Sequence, residues 1–291
     1  MKFDNYINYL LTEKHYSKHT ITAYSIDLKQ FEDFIQKVFE IYEAKDVTSS
    51  MIRDWIVHLS ENKITNRSIN RKITTLRSYF RYLLKIQELE INPLLKILPV
   101  KTSTRNPVFI MQEDMSRIIN MEYEKDFEGI RNKLIIELLY ATGMRKSELF
   151  NLEEKDFDYQ RQEIRIFGKR RKERIVPMHK EIIDLLYQYL EQKNIIGKGE
   201  KRLLVNRDCS PISIYQLNII VRESLSTSQV ERKSPHILRH TFATHLLNEG
   251  ADIMNVKDLL GHASLEATQI YTHNTIEKLK SVYKQKHPRS E

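Results

Sequence analysis

Leu98-Pro-Val-Lys-Thr-Ser-Thr-Arg-Asn-Pro107 is polar, rich in threonine and bracketed by prolines. Proline donates no amide hydrogen and pushes its predecessor out of helical geometry, so this stretch reads as an extended linker. It divides the chain into residues 1–98 and 109–291, with 99–108 as the tether. Both flanks read as mainly helical.

Upstream, Phe3, Tyr6, Ile7, Leu10 and Leu11 recur at helical spacing, and Ser17 is placed to cap a helix whose apolar face is Ile21, Tyr24, Leu28, Phe31, Ile35 and Val38. A third helix from about Ser50 turns Ile52, Trp55, Ile56 and Leu59 inward. A fourth carries Ile69, Ile73, Leu76, Phe80, Leu83 and Leu84 on one stripe, and Arg67, Arg71, Lys72, Arg77 and Arg81 on the surface left over. Four such stripes make a small bundle with a basic face. Asn92-Pro93 ends it.

Downstream, Gln112-Glu-Asp opens a helix, and the face Ile130, Leu134, Ile135, Leu138 and Leu139 marks another over Gly129–Tyr140. It stops at Ala141-Thr-Gly-Met-Arg-Lys-Ser-Glu148, where Gly143 can turn left-handed and leave Arg145 between two helices. Ile164–Phe167 and Glu173–Pro177 alternate as the arms of a β-hairpin whose tip, Gly168-Lys-Arg-Arg-Lys172, holds Lys169, Arg170, Arg171 and Lys172. Met178–Gln192 reads as a helix, Arg202-Leu-Leu-Val205 as a short buried strand, and Ile214–Leu225 as a further helix. Ser234-Pro235 signals a helix start, which puts His236 and Arg239 on one face. Val256–Leu260 is a short helix closed by Gly261, exposing His262, and Tyr271 follows nine residues later.

The 291 residues carry a formal net charge of +8 and a pI near 9.2, which favours a polyanionic partner. Cys209 is the single cysteine, so an intrachain disulfide and cysteine-rich metal clusters are excluded, and a reducing compartment suits the chain. The N-terminus is too polar for a signal peptide, and no apolar run is long enough for a membrane span. A soluble cytoplasmic protein with no membrane partner is expected. The histidines around His240 and His245 lack HExxH spacing and a nearby carboxylate, so a cationic pocket for an anion is the simpler reading than a metal.

These phrases resemble the tyrosine recombinase (phage integrase) family, in particular Xer-type enzymes and compact bacterial integrases, along essentially the whole chain. The resemblance lies in Thr142-Gly-Met-Arg-Lys-Ser-Glu-Leu149, Gly168-Lys169, the box His236-Ile-Leu-Arg-His240, Leu260-Gly-His262, Tyr271-Thr-His273, the amino-terminal Tyr16–Tyr24 phrase and His287-Pro288. It implies a four-helix SAM-like core-binding bundle followed by a mostly helical catalytic domain with a small β-hairpin. It also implies six catalytic residues: Arg145, Lys169, His236, Arg239, His262 and the nucleophile Tyr271. The DNA-contact candidates are Arg67, Arg71, Lys72, Arg77, Arg81, Arg170, Arg171 and Lys172.

The groups themselves suit phosphoryl transfer. Two guanidiniums and two imidazoles can meet the charge that grows on a five-coordinate phosphorus, so binding strengthens as the reaction advances. By family resemblance Tyr271 forms a 3′-phosphotyrosyl link and Lys169 protonates the departing 5′ oxygen. His236 is the better acid–base group and His262 the phosphate positioner, with neither role fixed by sequence. No metal is required, because the cationic side chains supply the charge stabilisation, and no nucleotide cofactor, because the covalent link conserves the phosphodiester bond energy.

The resemblance implies double-stranded DNA with paired half-sites as partner, and a tetramer on two sites formed alone or with a related recombinase, with an activating protein as a further partner. Residues Thr275–Lys286 are expected to form a protomer-contact helix. Resolution of chromosome or plasmid dimers is the leading role. Integration of a mobile element and DNA inversion are the alternatives, and a structural or regulatory DNA-binding protein is a remoter one.

Overall fold

A computed structural model describes residues 3–102, 108–168, 173–197 and 200–261. The chain divides into two compact units, Met1–Arg105 and Asn106–Glu291.

The first unit contains α1 (Asp4–Thr12), α2 (Lys18–Phe39), α3 (Ser49–Glu61) and α4 (Asn66–Lys85). Three begin on a hydroxyl that accepts an otherwise unused amide: Ser17 from Thr20, Thr48 from Met51 and Thr65 from Ser68. The core gathers Tyr6, Leu28, Phe31, Ile52, Trp55, Ile69, Leu76 and Phe80, with the rings of Phe31 and Trp55 edge to face at 4.9 Å. Leu11 and Val38, expected inside, are exposed. The buried stripe of α1 is Tyr6 and Leu10, one helical step away from Leu11, and the last buried residue of α2 is Ile35, so its final turn runs past the core.

Beside this apolar core lies an ionic one. Asp27 is fully buried on α2 and accepts from Lys72 Nζ at 2.8 Å, from Thr75 Oγ1 at 3.0 Å and from the Arg71 guanidinium. The expectation of Lys72 on the basic surface is therefore corrected: it is 4 % exposed and also donates to Gln30. A carboxylate taken out of water needs a cation with it, and this one takes the lysine inward. Arg71 keeps 47 % of its side chain in solvent.

The second unit is built around α6 (Phe127–Thr142), which is buried on nearly every side. Around it stand α5 (Gln112–Ile119), α8 (Lys180–Ile196), α9 (Ile214–Ser224) and α10 (Pro235–Asn248), with the shorter α7 (Lys146–Phe150) and α11 (Ile253–Leu260). The anticipated hairpin, β2 (Glu163–Phe167) with β3 (Glu173–Pro177), gains a third antiparallel strand, β1 (Phe157–Asp158), giving a sheet of order β1-β2-β3.

Two local expectations change. The helix read from Met178 starts at Lys180, because the Met178 amide is used by Gln162 at the sheet edge. The strand expected at Arg202–Val205 is reduced to isolated bridges from Arg202 to Glu153 and from Val205 to Pro211. Side chains take over its backbone groups: Tyr189 Oη donates to Leu203 O and accepts from Val205 N, and Lys193 donates to Arg202 O. Buried backbone polar groups need partners, and here helix α8 supplies them. Among the described residues, no helix is long and apolar enough to cross a membrane.

Candidate functional site

Helix α6 ends where Gly143 adopts φ +56°, a left-handed turn that would be strained for any side chain. Space forbids one as well: a Cβ there would stand 2.5 Å from Phe242 Cδ1 and 2.9 Å from Leu260 Cδ2. Thr142 steadies the turn by donating to Leu138 O and accepting from the Met144 amide. The chain then re-enters a helix at Arg145, whose amide donates to Glu148 Oε2 at 2.8 Å and whose guanidinium donates to Glu148 Oε1 at 2.7 Å. Arg145 is held at both its backbone and its tip, with 30 % of its side chain open to solvent.

Helix α10 approaches the same turn. Pro235 occupies its first turn as read from the sequence, although the Ser234 hydroxyl makes no capping bond. Arg239 is 8 % exposed and donates to Gly143 O at 2.6 Å and Leu260 O at 2.7 Å. These carbonyls close α6 and α11, whose dipoles place partial negative charge there, so a guanidinium is favourable between them. Helix α11 also ends in a left-handed glycine, Gly261 at φ +63°, and Arg145 reaches Gly261 O at 3.4 Å. Arg145 and Arg239, distant in sequence, thus meet on consecutive carbonyls.

Clustered cations shape the titration of the site. Burial, then Arg145 and Arg174, push the Arg239 guanidinium down to about 10, against the pull of Glu148, which leaves it charged at neutral pH. His236 lies exposed one turn before Arg239. Partial loss of solvation, then Lys146, Arg239 and Arg145, hold its imidazole below the usual value. It is neutral near pH 7 and able to accept a proton.

Two participants escaped the sequence reading. Glu148 and Arg174 are both buried, and Arg174 donates to Glu148 Oε2 at 2.7 Å, so one carboxylate links two arginines. Burial works to raise the Glu148 pKa, but Arg174 and Arg145 overcome it and hold the carboxyl below its ordinary range. Signals were available: Glu148 follows Arg145 at capping-box spacing, and Arg174 shares the strand parity of buried Val176.

His245 is the satisfied core histidine of α10, between Tyr140 Oη at 3.0 Å and Ile110 O at 2.9 Å, whereas His240 is only half-buried and its Nε2 has no partner among the described residues. No group of three or more His, Cys, Asp or Glu that could hold a metal occurs among the described residues. Of the basic residues of α4, Arg67, Arg71 and Arg81 are exposed. Arg77 is half-buried and donates to Ile97 O. Lys169, Arg170, Arg171, Lys172, His262, Tyr271 and the segment Thr275–Lys286 lie outside the described residues.

Comparison with known proteins places this arrangement. Residues 109–278 match the model of the phage integrase family, and residues 3–87 match that of the phage integrase N-terminal SAM-like domain. The chain is 36% identical over 293 residues to tyrosine recombinase XerC of Staphylococcus aureus (strain bovine RF122 / ET3-1), covering 98% of this chain and 96% of the relative. It is 38% identical over 291 residues to tyrosine recombinase XerC of Listeria innocua serovar 6a, covering 98% and 97%. Among solved structures, XerH site-specific recombinase bound to palindromic difH substrate, a post-cleavage complex, superposes with a TM-score of 0.73 at 26% identity, over 91% of this chain and 79% of that one. The mainly helical architecture with its small antiparallel sheet agrees with these matches. The chain belongs to the phage integrase family and is a tyrosine-type site-specific DNA recombinase.

Proposed function

We propose that this recombinase acts as an Xer-like enzyme on short core sites, resolving chromosome or plasmid dimers, with Tyr271 as nucleophile and Arg145, Lys169, His236, Arg239 and His262 as the remaining catalytic groups. The observation that carries the site assignment is the convergence of Arg145 and Arg239 on Gly261 O and Leu260 O. The whole-length likeness to proteins named tyrosine recombinase XerC supports the biological role.

Residues 1–98 form the core-binding unit, 99–108 the tether and 109–291 the catalytic unit. Exposed Arg67, Arg71 and Arg81 are the groups of α4 that reach duplex DNA, whereas Lys72 is committed to Asp27. Arg170, Arg171 and Lys172 add contacts from the hairpin tip. A phosphodiester enters beside Arg145 and Arg239, whose positions are fixed before substrate arrives, so little reorganisation is needed as negative charge accumulates. Neutral His236 takes the phenolic proton as Tyr271 attacks phosphorus in line with the 5′ oxygen, which leaves with a proton from Lys169. The P–O bond to the 5′ oxygen breaks as the bond to the tyrosine oxygen forms, and a 5′ hydroxyl from a second duplex reverses the step. Two duplexes require four protomers, assembled by this chain alone or with a related recombinase, with residues after Thr275 as protomer contacts.

The test is covalent trapping. The parent protein gives a protein–DNA adduct on a denaturing gel, while Tyr271→Phe gives none yet still shifts the same duplex on a native gel. An adduct formed by Tyr271→Phe would overturn the nucleophile assignment. Adducts mapped across host DNA should fall at one symmetric site per replicon; adducts at the ends of a mobile element or of an invertible segment would replace dimer resolution by those roles.

A further inference from the structure

We propose that Arg174 is a positioning residue of the recombination site: it shares Glu148 with Arg145, so that Arg145 is anchored by a carboxylate without being neutralised by it. The inference rests on the recombinase reading above and extends it to a residue that does not itself meet DNA. With 4 % of its surface exposed, Arg174 is sealed beneath the site.

The geometry is that of one anion between two cations. Glu148 Oε1 takes Arg145 Nη1 at 2.7 Å, and Oε2 takes both the Arg145 amide at 2.8 Å and Arg174 Nη2 at 2.7 Å. An isolated arginine–glutamate pair is electrically neutral and would meet a phosphate weakly. With Arg174 present, the group formed by Arg145, Arg174, Arg239 and Glu148 is doubly positive, which complements a phosphoryl group whose charge grows toward the transition state. The stem of Arg174 also lies under the turn that presents Gly261 O to Arg145. A Cβ on Gly261 would come within 3.4 Å of Arg174 Cδ and Nη1.

A structural filler would not look like this. Arg174 Nε is buried with no hydrogen-bond partner among the described residues, and taking a guanidinium out of water has a cost that an apolar side chain of similar length would not have. The position also links elements, since Arg174 lies opposite Ile166 in the pairing of β2 with β3 and ties that sheet to the start of α7.

The experiment measures adduct formation on a nicked suicide duplex built around the cleavage site recovered by adduct mapping, together with equilibrium binding to the same duplex. Arg174→Met should lower the single-turnover cleavage rate about 10- to 100-fold, the range for one charge-assisted partner, while affinity stays within about threefold. Arg174→Lys should regain part of the rate. Combining Arg174→Met with Glu148→Gln should lose less than the product of the two single losses, because removing the carboxylate removes the need for its second cation. Cleavage by Arg174→Met within about twofold of the parent, equal loss of binding and cleavage, or multiplicative losses in the double variant would each overturn the proposal. Should Arg174→Met fail to fold by circular dichroism, the neutral Arg174→Gln carries the test, and parental cleavage by that variant overturns it. A parent protein that forms no adduct at all would instead remove the nucleophile assignment.

Discussion

Replacing Gly143 by alanine should destabilise the second unit and leave the first untouched. The left-handed backbone at φ +56° costs a residue with a Cβ roughly 1–2 kcal/mol. The added methyl would meet Phe242 Cδ1 at 2.5 Å, Phe242 Cε1 at 2.9 Å and Leu260 Cδ2 at 2.9 Å. All three atoms belong to buried side chains, and relieving such overlap adds about 1–3 kcal/mol. The sum, about 2–5 kcal/mol, corresponds to a fall in urea midpoint of about 0.7–2.5 M at slopes of ~2–3 kcal/mol/M.

The chain provides its own control. Trp55 is the single tryptophan and is buried in the first unit, so its fluorescence follows that unit alone, while far-UV circular dichroism follows both. The dichroism curve of Gly143→Ala should separate into two transitions, with the Trp55 midpoint unchanged. Because Gly143 O holds Arg239, adduct formation should fall in the same variant under conditions where it remains folded. A midpoint shift below about 0.3 M would refute the steric and backbone reasoning together, and an equal shift in Trp55 fluorescence would refute the assignment of the cost to the second unit.

The converse holds for the ionic core of the first unit. Asp27→Asn leaves Lys72 buried without its counter-ion and should cost about 3–5 kcal/mol, read as a lower urea midpoint by Trp55 fluorescence; an unchanged midpoint would show that the network contributes nothing net. The second unit should respond to mild acid. Burial holds His245 below its usual pKa, so its contribution is complete above about pH 6.5 and is lost as pH falls through the depressed folded value. His236 acts in the same direction. Dichroism midpoints for the second unit should therefore drop between pH 7.5 and 5.5, and His245→Gln should flatten that dependence; the same slope in both proteins would exclude His245 as its source.

The helices were readable because their causes are local. The cap at Ser17, the apolar stripe of α4 and the glycines at 143 and 261 each act within a turn or two of chain. The motif residues Arg145, His236 and Arg239 were likewise visible, since phosphoryl chemistry calls for those side chains and helical spacing sets their faces. The short strand β1 was not visible, because two residues carry no period and form a strand only once β2 lies beside them. Nor was the fate of Arg202–Val205, where Tyr189 and Lys193 on a separate helix decide which backbone groups remain for pairing.

Sequence alone therefore determined the mainly helical architecture and the family to which the chain belongs, because both follow from residue type and short-range spacing. Partnership of charges was decided by tertiary structure. Lys72 and Arg71 are adjacent in a basic run, yet one is drawn in by Asp27 and the other stays half in solvent. Glu148 and Arg174, on separate elements of the chain, become a buried pair beneath Arg145. The reason is desolvation: whether a charge is costly or useful depends on which opposite charge the fold brings within hydrogen-bond reach, and that distance is set by elements far apart along the chain.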